Sequence, residues 1–332
     1  MSAPILDVAG LSVAFQMPRG QVRALRDVSF QLHAGKTLAL VGESGSGKSV
    51  TSLAIMGLLP SNGSVAGGSI TYHHRDGSAV DLTKASQAEV RGMRGSDIAM
   101  IFQEPMSSLN PLFTIGDQIG EMLLLHTELD PAARRKRVLD MLDLVEIPAA
   151  GQRIDSYPHE LSGGMRQRVM IALAMVCNPS LLIADEPTTA LDVTIQAQIL
   201  DLMRRLQSEL GMSILFITHD MGVVAEMADD VAVMYAGAVV EDAGVDDLFA
   251  LPLHPYTQGL LASIPRPGRD PETRLVPIPG TVPALSAMPP GCAFAPRCVR
   301  ADDACRNPVD LMPLRPAHQV ACIKVEGALA DA

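Results

Sequence analysis

Short apolar runs that alternate with amphipathic stretches are the clearest pattern along the chain. Four runs end beside a polar or glycine-containing turn and are predicted to be buried β-strands: residues 37–41, 181–185, 214–218 and 231–235. Between them, residues 131–147 and 195–210 have the apolar spacing of amphipathic helices. Because uninterrupted apolar strands need cover on both faces, the pattern predicts a layered α/β domain with a mostly parallel sheet.

This pattern changes after Leu251. Proline becomes frequent, and periodicity fades between Pro265 and Pro316. Such a segment is typical of an appendage built largely of loops. We therefore predict a first domain over residues 1–251 and a C-terminal appendage over residues 252–332.

Composition excludes several classes of protein. With 48 % apolar residues the chain can bury a sizeable core, and its net charge of −11 argues against a nucleic-acid partner. No apolar run approaches the ~20 residues needed to span a bilayer. Residues 1–10 lack the basic and apolar segments of a signal peptide, so we expect a protein of the reducing cytoplasm.

A phosphate-binding loop is the strongest motif. Residues 42–49, Gly-Glu-Ser-Gly-Ser-Gly-Lys-Ser, match G-x-x-x-x-G-K-[ST] and lie between the first predicted strand and a helical stretch. A chance glycine-rich turn would not have both neighbours in register. We expect Lys48 to reach the β- and γ-phosphates and Ser49 to ligate Mg²⁺. The predicted nucleotide-binding positions are Gly42, Glu43, Ser44, Gly45, Ser46, Gly47, Lys48, Ser49 and Val50.

Two adjacent acids, Asp185 and Glu186, end the apolar run 181–185. Alone they would indicate only a strand that exits into a polar turn. Beside a phosphate loop, Asp185 is predicted to hold Mg²⁺ through water, and Glu186 to polarise the water that attacks the γ-phosphate.

A second glycine-containing helix start, residues 161–168, narrows the choice among phosphate-loop proteins. Ser162 is a plausible helix cap, and the glycines after it leave N–H groups open to an anion. One chain that closes its own site does not need this second anion site. Two cassettes that complete each other's sites do, and a phosphate-loop kinase offers no reason for it.

With these motifs in this order, residues 5–251 resemble the ATP-binding cassette (ABC) transporter family. The resemblance implies an α/β phosphate-loop NTPase fold of the ABC type, with a mixed sheet and an inserted helical subdomain at about residues 105–176, followed by the loop-rich, Cys-containing appendage. It also implies that two cassettes sandwich two ATP molecules head to tail and that hydrolysis lets them part, which drives alternating access in membrane subunits.

The resemblance assigns roles to further residues. Phe15 would stack on adenine, although an aromatic residue in a first strand is equally often a core residue. Gln103 would sense Mg²⁺ and contact the membrane subunit, and His219 would contact the γ-phosphate. The predicted catalytic residues are Glu186, His219 and Gln103, and the predicted Mg²⁺ residues are Ser49, Gln103 and Asp185.

Two more segments match the family at its dimer interface. The signature that completes the site of a second cassette corresponds to Ser162, Gly163, Gly164 and Met165, with Met where many members have Gln. Residues 190–192, which include Asp192, match the loop that crosses the interface.

Residues 253–257, Leu-His-Pro-Tyr-Thr, resemble the ATPase subunits of oligopeptide and dipeptide importers. This implies an ATP-hydrolysing subunit on the cytoplasmic face of the cell membrane. Its partners would be two membrane permeases, a related second ATPase or a second copy of itself, and an extracytoplasmic peptide-binding protein, with no nucleic acid. Peptides lead as cargo, while nickel chelates, glutathione and sugars stay open. Chromosome-maintenance ATPases need a heptad insertion, and translation-type ABC proteins need two cassettes; the chain has neither.

Four of the five cysteines, Cys292, Cys298, Cys305 and Cys322, are crowded into the appendage without paired C-x₂-C spacing. Free thiols, Zn²⁺ and an iron–sulfur cluster are the alternatives. Because some peptide-importer ATPases carry a [4Fe–4S] cluster in this region, the resemblance favours the cluster over Zn²⁺ or free thiols. The fifth, Cys177, is predicted to be a packing residue.

Overall fold

The computed structural model describes residues 3–18, 20–102, 108–189, 191–264 and 277–325, which form two sheets and the helices around them. The smaller sheet is antiparallel with the order β2-β1-β4-β5. Its strands are β1 (Pro4–Met17), β2 (Gly20–His33), β4 (Gly63–His73) and β5 (Ala79–Asp81).

The larger sheet has the order β11-β12-β10-β9-β3-β8-β7-β6. Its strands are β3 (Thr37–Val41), β6 (Ile98–Ile101), β7 (Leu181–Asp185), β8 (Ser213–Thr218), β9 (Asp230–Tyr235), β10 (Ala238–Gly244), β11 (Met312–Arg315) and β12 (His318–Val320). The five strands from β9 to β6 are parallel, and the three at the other edge are antiparallel. The prediction of a mixed α/β fold is therefore confirmed.

Ten α-helices are described in these ranges, besides three short 3₁₀ helices. They are α1 (Lys48–Ile55), α2 (Gln87–Met93), α3 (Ile115–His126), α4 (Pro131–Leu144), α5 (Ala150–Arg153), α6 (Gly163–Met175), α7 (Val193–Leu210), α8 (Met221–Met227), α9 (Val245–Ala250) and α10 (Pro255–Ala262). No helix among the described residues has the length and apolar character that a bilayer crossing requires.

The predicted strands are confirmed to within one residue at each end, and both predicted amphipathic helices are present as α4 and α7. Side-chain caps explain where several helices begin. Thr114, Asp130, Ser162 and Asp192 each accept a hydrogen bond from the backbone N–H three residues later, at the starts of α3, α4, α6 and α7.

Apolar side chains divide the interior into layers. One cluster joins the helices α3, α4, α6 and α7 to one face of β6, β7 and β8, and includes Ile119, Leu142 and Met175. A second fills the space between the two sheets. Three of these helices, α3, α4 and α6, fall in the range where the resemblance implies a helical subdomain, at about residues 105–176, and the domain boundaries themselves stay a prediction.

The C-terminal segment carries more regular structure than its proline content suggests, because β12 pairs with β10 and extends the larger sheet. Glu241 on β10 is fully buried and anchors the segment. Its carboxylate accepts hydrogen bonds from the N–H groups of Leu253 (2.6 Å) and His254 (2.8 Å) and pairs with Nε2 of His318 (2.8 Å). These partners satisfy a buried carboxylate that would otherwise be costly.

Candidate nucleotide-binding site

The phosphate loop, residues 42–47, lies between the fully buried central strand β3 and the start of α1. Three glycines turn it through left-handed backbone conformations, with φ of 152° at Gly42, 80° at Gly45 and 107° at Gly47. The Ser46 N–H donates to the Glu43 carbonyl oxygen (3.1 Å), and the Gly237 N–H donates to the Ser46 carbonyl oxygen (2.8 Å). The loop is therefore closed on itself and tied to the turn between β9 and β10.

Lys48 begins α1 and folds back over the loop, with only 6 % of its surface exposed. Its Nζ donates to the carbonyl oxygens of Gly42 (2.7 Å) and Glu43 (3.1 Å). Burial lowers the pKa of Lys48, while the nearby carboxylates of Glu186, Asp185 and Glu43 oppose that shift. A cation at this position, beside backbone N–H groups, suits a bound phosphate.

Asp185 ends β7 and is 4 % exposed. Burial raises the pKa of its carboxyl, and the nearby Ser49 hydroxyl lowers it. The Ser52 hydroxyl donates to Oδ2 at 3.5 Å, whereas Oδ1 is buried without a hydrogen-bond partner among the described residues. A buried carboxylate oxygen with spare capacity, next to a serine hydroxyl, is a donor set that fits Mg²⁺ directly or through water.

Glu186 follows directly, and its φ of 48° places a non-glycine residue in the left-handed region. Such strain persists only where surrounding contacts enforce it, and it clusters at functional sites. Here the Glu186 N–H donates to the Ile217 carbonyl oxygen (2.9 Å), and the Thr189 hydroxyl donates to Oε2 (3.0 Å). His219, after β8, places Nδ1 3.1 Å from Oε1. The carboxylate is thus aimed by contacts from two strand ends.

The remaining predicted site residues either make local contacts of their own or lie outside the described residues. Phe15 is half-buried, and its ring packs over Gly63 of the neighbouring strand. Asp192 is exposed and caps α7 by accepting from the Ile195 N–H at 2.9 Å. Gln103 and Ala190 lie outside the described residues, so the assignment of Gln103 stays a prediction.

The predicted signature residues, 162–165, form the start of α6. Ser162 accepts a hydrogen bond from the Met165 N–H (3.3 Å). Gln167, one position beyond the first turn, is fully buried and donates to the carbonyl oxygen of Pro187, in the turn after Glu186. Gly164 lies beside Ile195, where a larger side chain would crowd α7. A helix start with Ser162 and Gly163 exposed and Gly164 half-buried can present N–H groups to a neighbouring molecule.

Burial raises the pKa of Cys322, and repulsion from Cys292, Cys298 and Cys305 adds to the rise, so the four cysteines of the appendage lie within electrostatic reach of one another. None of the four forms a disulfide. Among the described residues, which include all four, no group of three or more Cys, His, Asp or Glu side chains is arranged to hold a metal ion. The [4Fe–4S] cluster predicted on Cys292, Cys298, Cys305 and Cys322, and its Zn²⁺ alternative, are therefore not supported by the structure.

Sequence reasoning missed two residues that contact the phosphate loop from the appendage. The Tyr256 hydroxyl accepts a hydrogen bond from the Glu43 N–H (2.8 Å), and Arg297 forms an ion pair with the Glu43 carboxylate (2.6 Å). The His-Pro-Tyr segment predicted only a turn into a short helix. In the sequence, Tyr256 stands out only because it carries a hydroxyl group in a largely apolar segment, which is a weak signal.

Comparisons with known families agree with the motifs. A family model described as ABC transporter matches residues 25–189, and one described as the C-terminal region of oligopeptide/dipeptide transporters matches residues 240–305. The second match covers the segment that carries Tyr256 and Arg297.

Similar proteins support the same grouping. A peptide import ATP-binding protein of Brucella ovis is 54 % identical over 328 residues, which is 97 % of both chains. The dipeptide transport ATP-binding protein DppD of Bacillus subtilis is 54 % identical over 295 residues, which is 89 % of this chain and 86 % of that one.

Among solved structures, a dimeric ATP-binding cassette bound to ADP and Pi is 26 % identical with a TM-score of 0.63, covering 72 % of this chain and 98 % of that one. CbiO1 of Clostridium perfringens, part of an ABC transporter complex, is 29 % identical with a TM-score of 0.62, covering 74 % and 91 %. Both likenesses concern the cassette fold.

The phosphate-loop geometry predicts unequal effects of two matched substitutions. A methyl group at Gly42 would meet the Met234 carbonyl oxygen and the Ser46 side chain, whereas at Gly45 it would meet nothing within 4 Å. Gly45→Ala should lower the free energy of unfolding by about 1 kcal/mol, through its positive φ alone. Gly42→Ala should cost about 3 kcal/mol or more, because strain and a backbone clash combine. Urea unfolding measures both, and equal losses would contradict the described loop.

Proposed function

The chain belongs to the ABC transporter family, in its peptide-import branch, and on that premise we propose that it binds and hydrolyses ATP to power the uptake of di- or oligopeptides. The main support for the proposal is that a phosphate loop, a lysine and two acidic residues lie together at one edge of the larger sheet. Lys48, Asp185 and Glu186 lie within electrostatic reach of one another there. Relatives named for peptide and dipeptide transport support the class of cargo.

Binding of ATP is assigned to the loop and the start of α1. The N–H groups of residues 44–49 and the Lys48 ammonium would hold the phosphates, and Phe15, which is half-buried, would stack on the adenine ring. Ser49 and Asp185 would hold Mg²⁺, which when bound neutralises the charge of the phosphate oxygens. Gln103 is proposed to approach the same ion. The proposal includes no iron–sulfur cluster.

We assign hydrolysis to the carboxylate of Glu186, whose backbone is in the left-handed region. Glu186 would orient and polarise the water that attacks the γ-phosphate, and His219 would hold the Glu186 carboxylate and contact the phosphate. Little covalent chemistry is required of the protein, so positioning accounts for most of the rate.

Completion of the site is assigned to a second cassette. The exposed start of α6, residues 162–165, would present its N–H groups to the γ-phosphate held by the facing chain, and Asp192 would lie at the same interface. The facing chain would be a related ATPase or a second copy. Coupling to transport requires two permeases and an extracytoplasmic peptide-binding protein, with this chain at the cytoplasmic face of the membrane.

Glu186→Gln tests the catalytic assignment. It keeps the shape of the side chain but removes the charge that polarises water, so kcat for ATP should fall by roughly 100-fold or more. Affinity for MgATP should change by less than about threefold, because the residue acts in the transition state. Glu209→Gln, an exposed change on α7, is the matched control. Turnover is measured in the assembled transporter. Unchanged kcat in Glu186→Gln would remove this residue from the mechanism.

Co-purification tests the partner assignment. The tagged full-length chain, recovered from gently solubilised membranes, should bring down two permeases, a sister ATPase unless the chain pairs with itself, and a peptide-binding protein. Mass spectrometry identifies each of them. Recovery without any membrane protein would leave the ATPase chemistry intact but contradict the transport role.

A further inference from the structure

Glu43 is the phosphate-loop residue that the appendage contacts, through Tyr256 and Arg297. The Arg297 guanidinium meets its carboxylate in a two-pronged ion pair, with Nη1 2.6 Å from Oε2 and Nη2 3.0 Å from Oε1. The Tyr256 hydroxyl accepts from the Glu43 N–H at 2.8 Å. Both the side chain and the backbone of one loop residue are therefore held by residues more than 200 positions later in the chain.

Arg297 and Tyr256 are themselves buried, and Arg297 is held by further hydrogen bonds. Arg297 is 7 % exposed, and its Nε donates to the Pro279 carbonyl oxygen (2.8 Å) while Nη1 lies 3.4 Å from the Tyr235 hydroxyl. Tyr256 is fully buried on α10. A paired, buried guanidinium with several acceptors loses little further freedom when it binds a carboxylate.

Three aromatic side chains pack around the contact between the appendage and Glu43. The rings of Tyr235, Tyr256 and Phe294 contact one another with centroids 4.7–5.4 Å apart. The guanidinium carbon of Arg297 lies 5.8 Å from the centroids of both Tyr235 and Phe294. Tyr235 ends β9, so the appendage, the sheet and the loop meet in one packed unit. The chain has only four Tyr and seven Phe, and three of these aromatics are concentrated here.

Movement of Glu43 would also displace Lys48, the residue that we expect to contact the phosphates. The Glu43 carbonyl oxygen accepts from Lys48 Nζ (3.1 Å) and from the Ser46 N–H (3.1 Å). Three glycines in left-handed conformations give the loop backbone a wide choice of conformations, so contacts from outside the loop help to hold a single geometry.

We propose that Tyr256 and Arg297 are positioning residues for ATP: they hold Glu43, and through it the phosphate loop, in the form that binds nucleotide. This inference rests on the proposed function and extends it by giving the appendage a direct role in nucleotide affinity. Neither residue touches the reacting atoms, so their loss weakens binding without slowing chemistry once the site is filled.

Tyr256→Phe is the sharpest variant, because it keeps the buried ring and removes only the acceptor of the Glu43 N–H. MgATP affinity, measured by calorimetry on the full-length chain, should fall about fivefold, the equivalent of one net hydrogen bond. Arg297→Gln should weaken it about tenfold, since a charged two-pronged pair is stronger. Arg300→Gln, an exposed arginine three positions away, is the matched control and should bind like the wild type.

A double-mutant cycle separates positioning from general damage. Glu43→Gln and Arg297→Gln should each weaken binding, and the combined variant should be no weaker than about the worse of the two, because both break one interaction. In the assembled transporter, Tyr256→Phe should raise KM for ATP and leave kcat within about twofold, whereas a merely destabilised protein would lose kcat with its active fraction.

Suppose that the wild-type chain binds MgATP and that Tyr256→Phe and Arg297→Gln bind it equally well. This result would overturn the positioning role of Tyr256 and Arg297 and leave the proposed function standing. Additive losses in the double mutant would also overturn it. If the wild-type chain itself bound no MgATP, the proposed function would fail first. Should Arg297→Gln fold poorly, Tyr256→Phe and the KM-against-kcat comparison decide the question.

Discussion

Parallel pairing of β3 with β8, and of β8 with β7, is the constraint on which the site depends. In this register Val41 is opposite Thr218, and Asp185 is opposite Ile217. The residues that follow these positions, Gly42, Glu186 and His219, must therefore emerge together at the carboxyl edge of the sheet, where ligands of open α/β folds bind. Segments as far apart in the chain as Gly42 and Glu186 become one site because their strands are buried and cannot slip.

Three features of this edge of the sheet are energetically unfavourable. Asp185 is buried beside a second acid, Glu186 has a left-handed backbone, and the Lys48 ammonium is buried. Each arrangement costs free energy that a compact domain supplies from its packed core. A ligand with phosphate groups and a divalent cation would satisfy the spare acceptor and the folded-back ammonium together, which is why the geometry favours MgATP over a neutral ligand.

Much of this could be predicted from sequence. Strands such as Thr37–Val41 are uninterrupted apolar runs with a single interpretation, and the phosphate loop has a fixed spacing between a strand and a helix. Contacts such as Tyr256 to Glu43 could not be predicted, because 213 residues separate them and no local pattern encodes a distant hydrogen bond. The iron–sulfur cluster that the resemblance implies for the appendage is likewise not supported, because four cysteines close together in the chain do not by themselves encode a coordination geometry, and among the described residues no group of three or more Cys, His, Asp or Glu side chains is arranged to hold a metal ion.

Hydrogen–deuterium exchange of the full-length chain, with and without Mg²⁺ and a non-hydrolysable ATP analogue, tests most directly whether the edge built by β3, β7 and β8 is the nucleotide site. The account predicts that the analogue slows exchange in residues 42–50, where N–H groups would become bonded to phosphate oxygens. Protection confined to other parts of the chain, with exchange in residues 42–50 unchanged at saturating analogue, would contradict it.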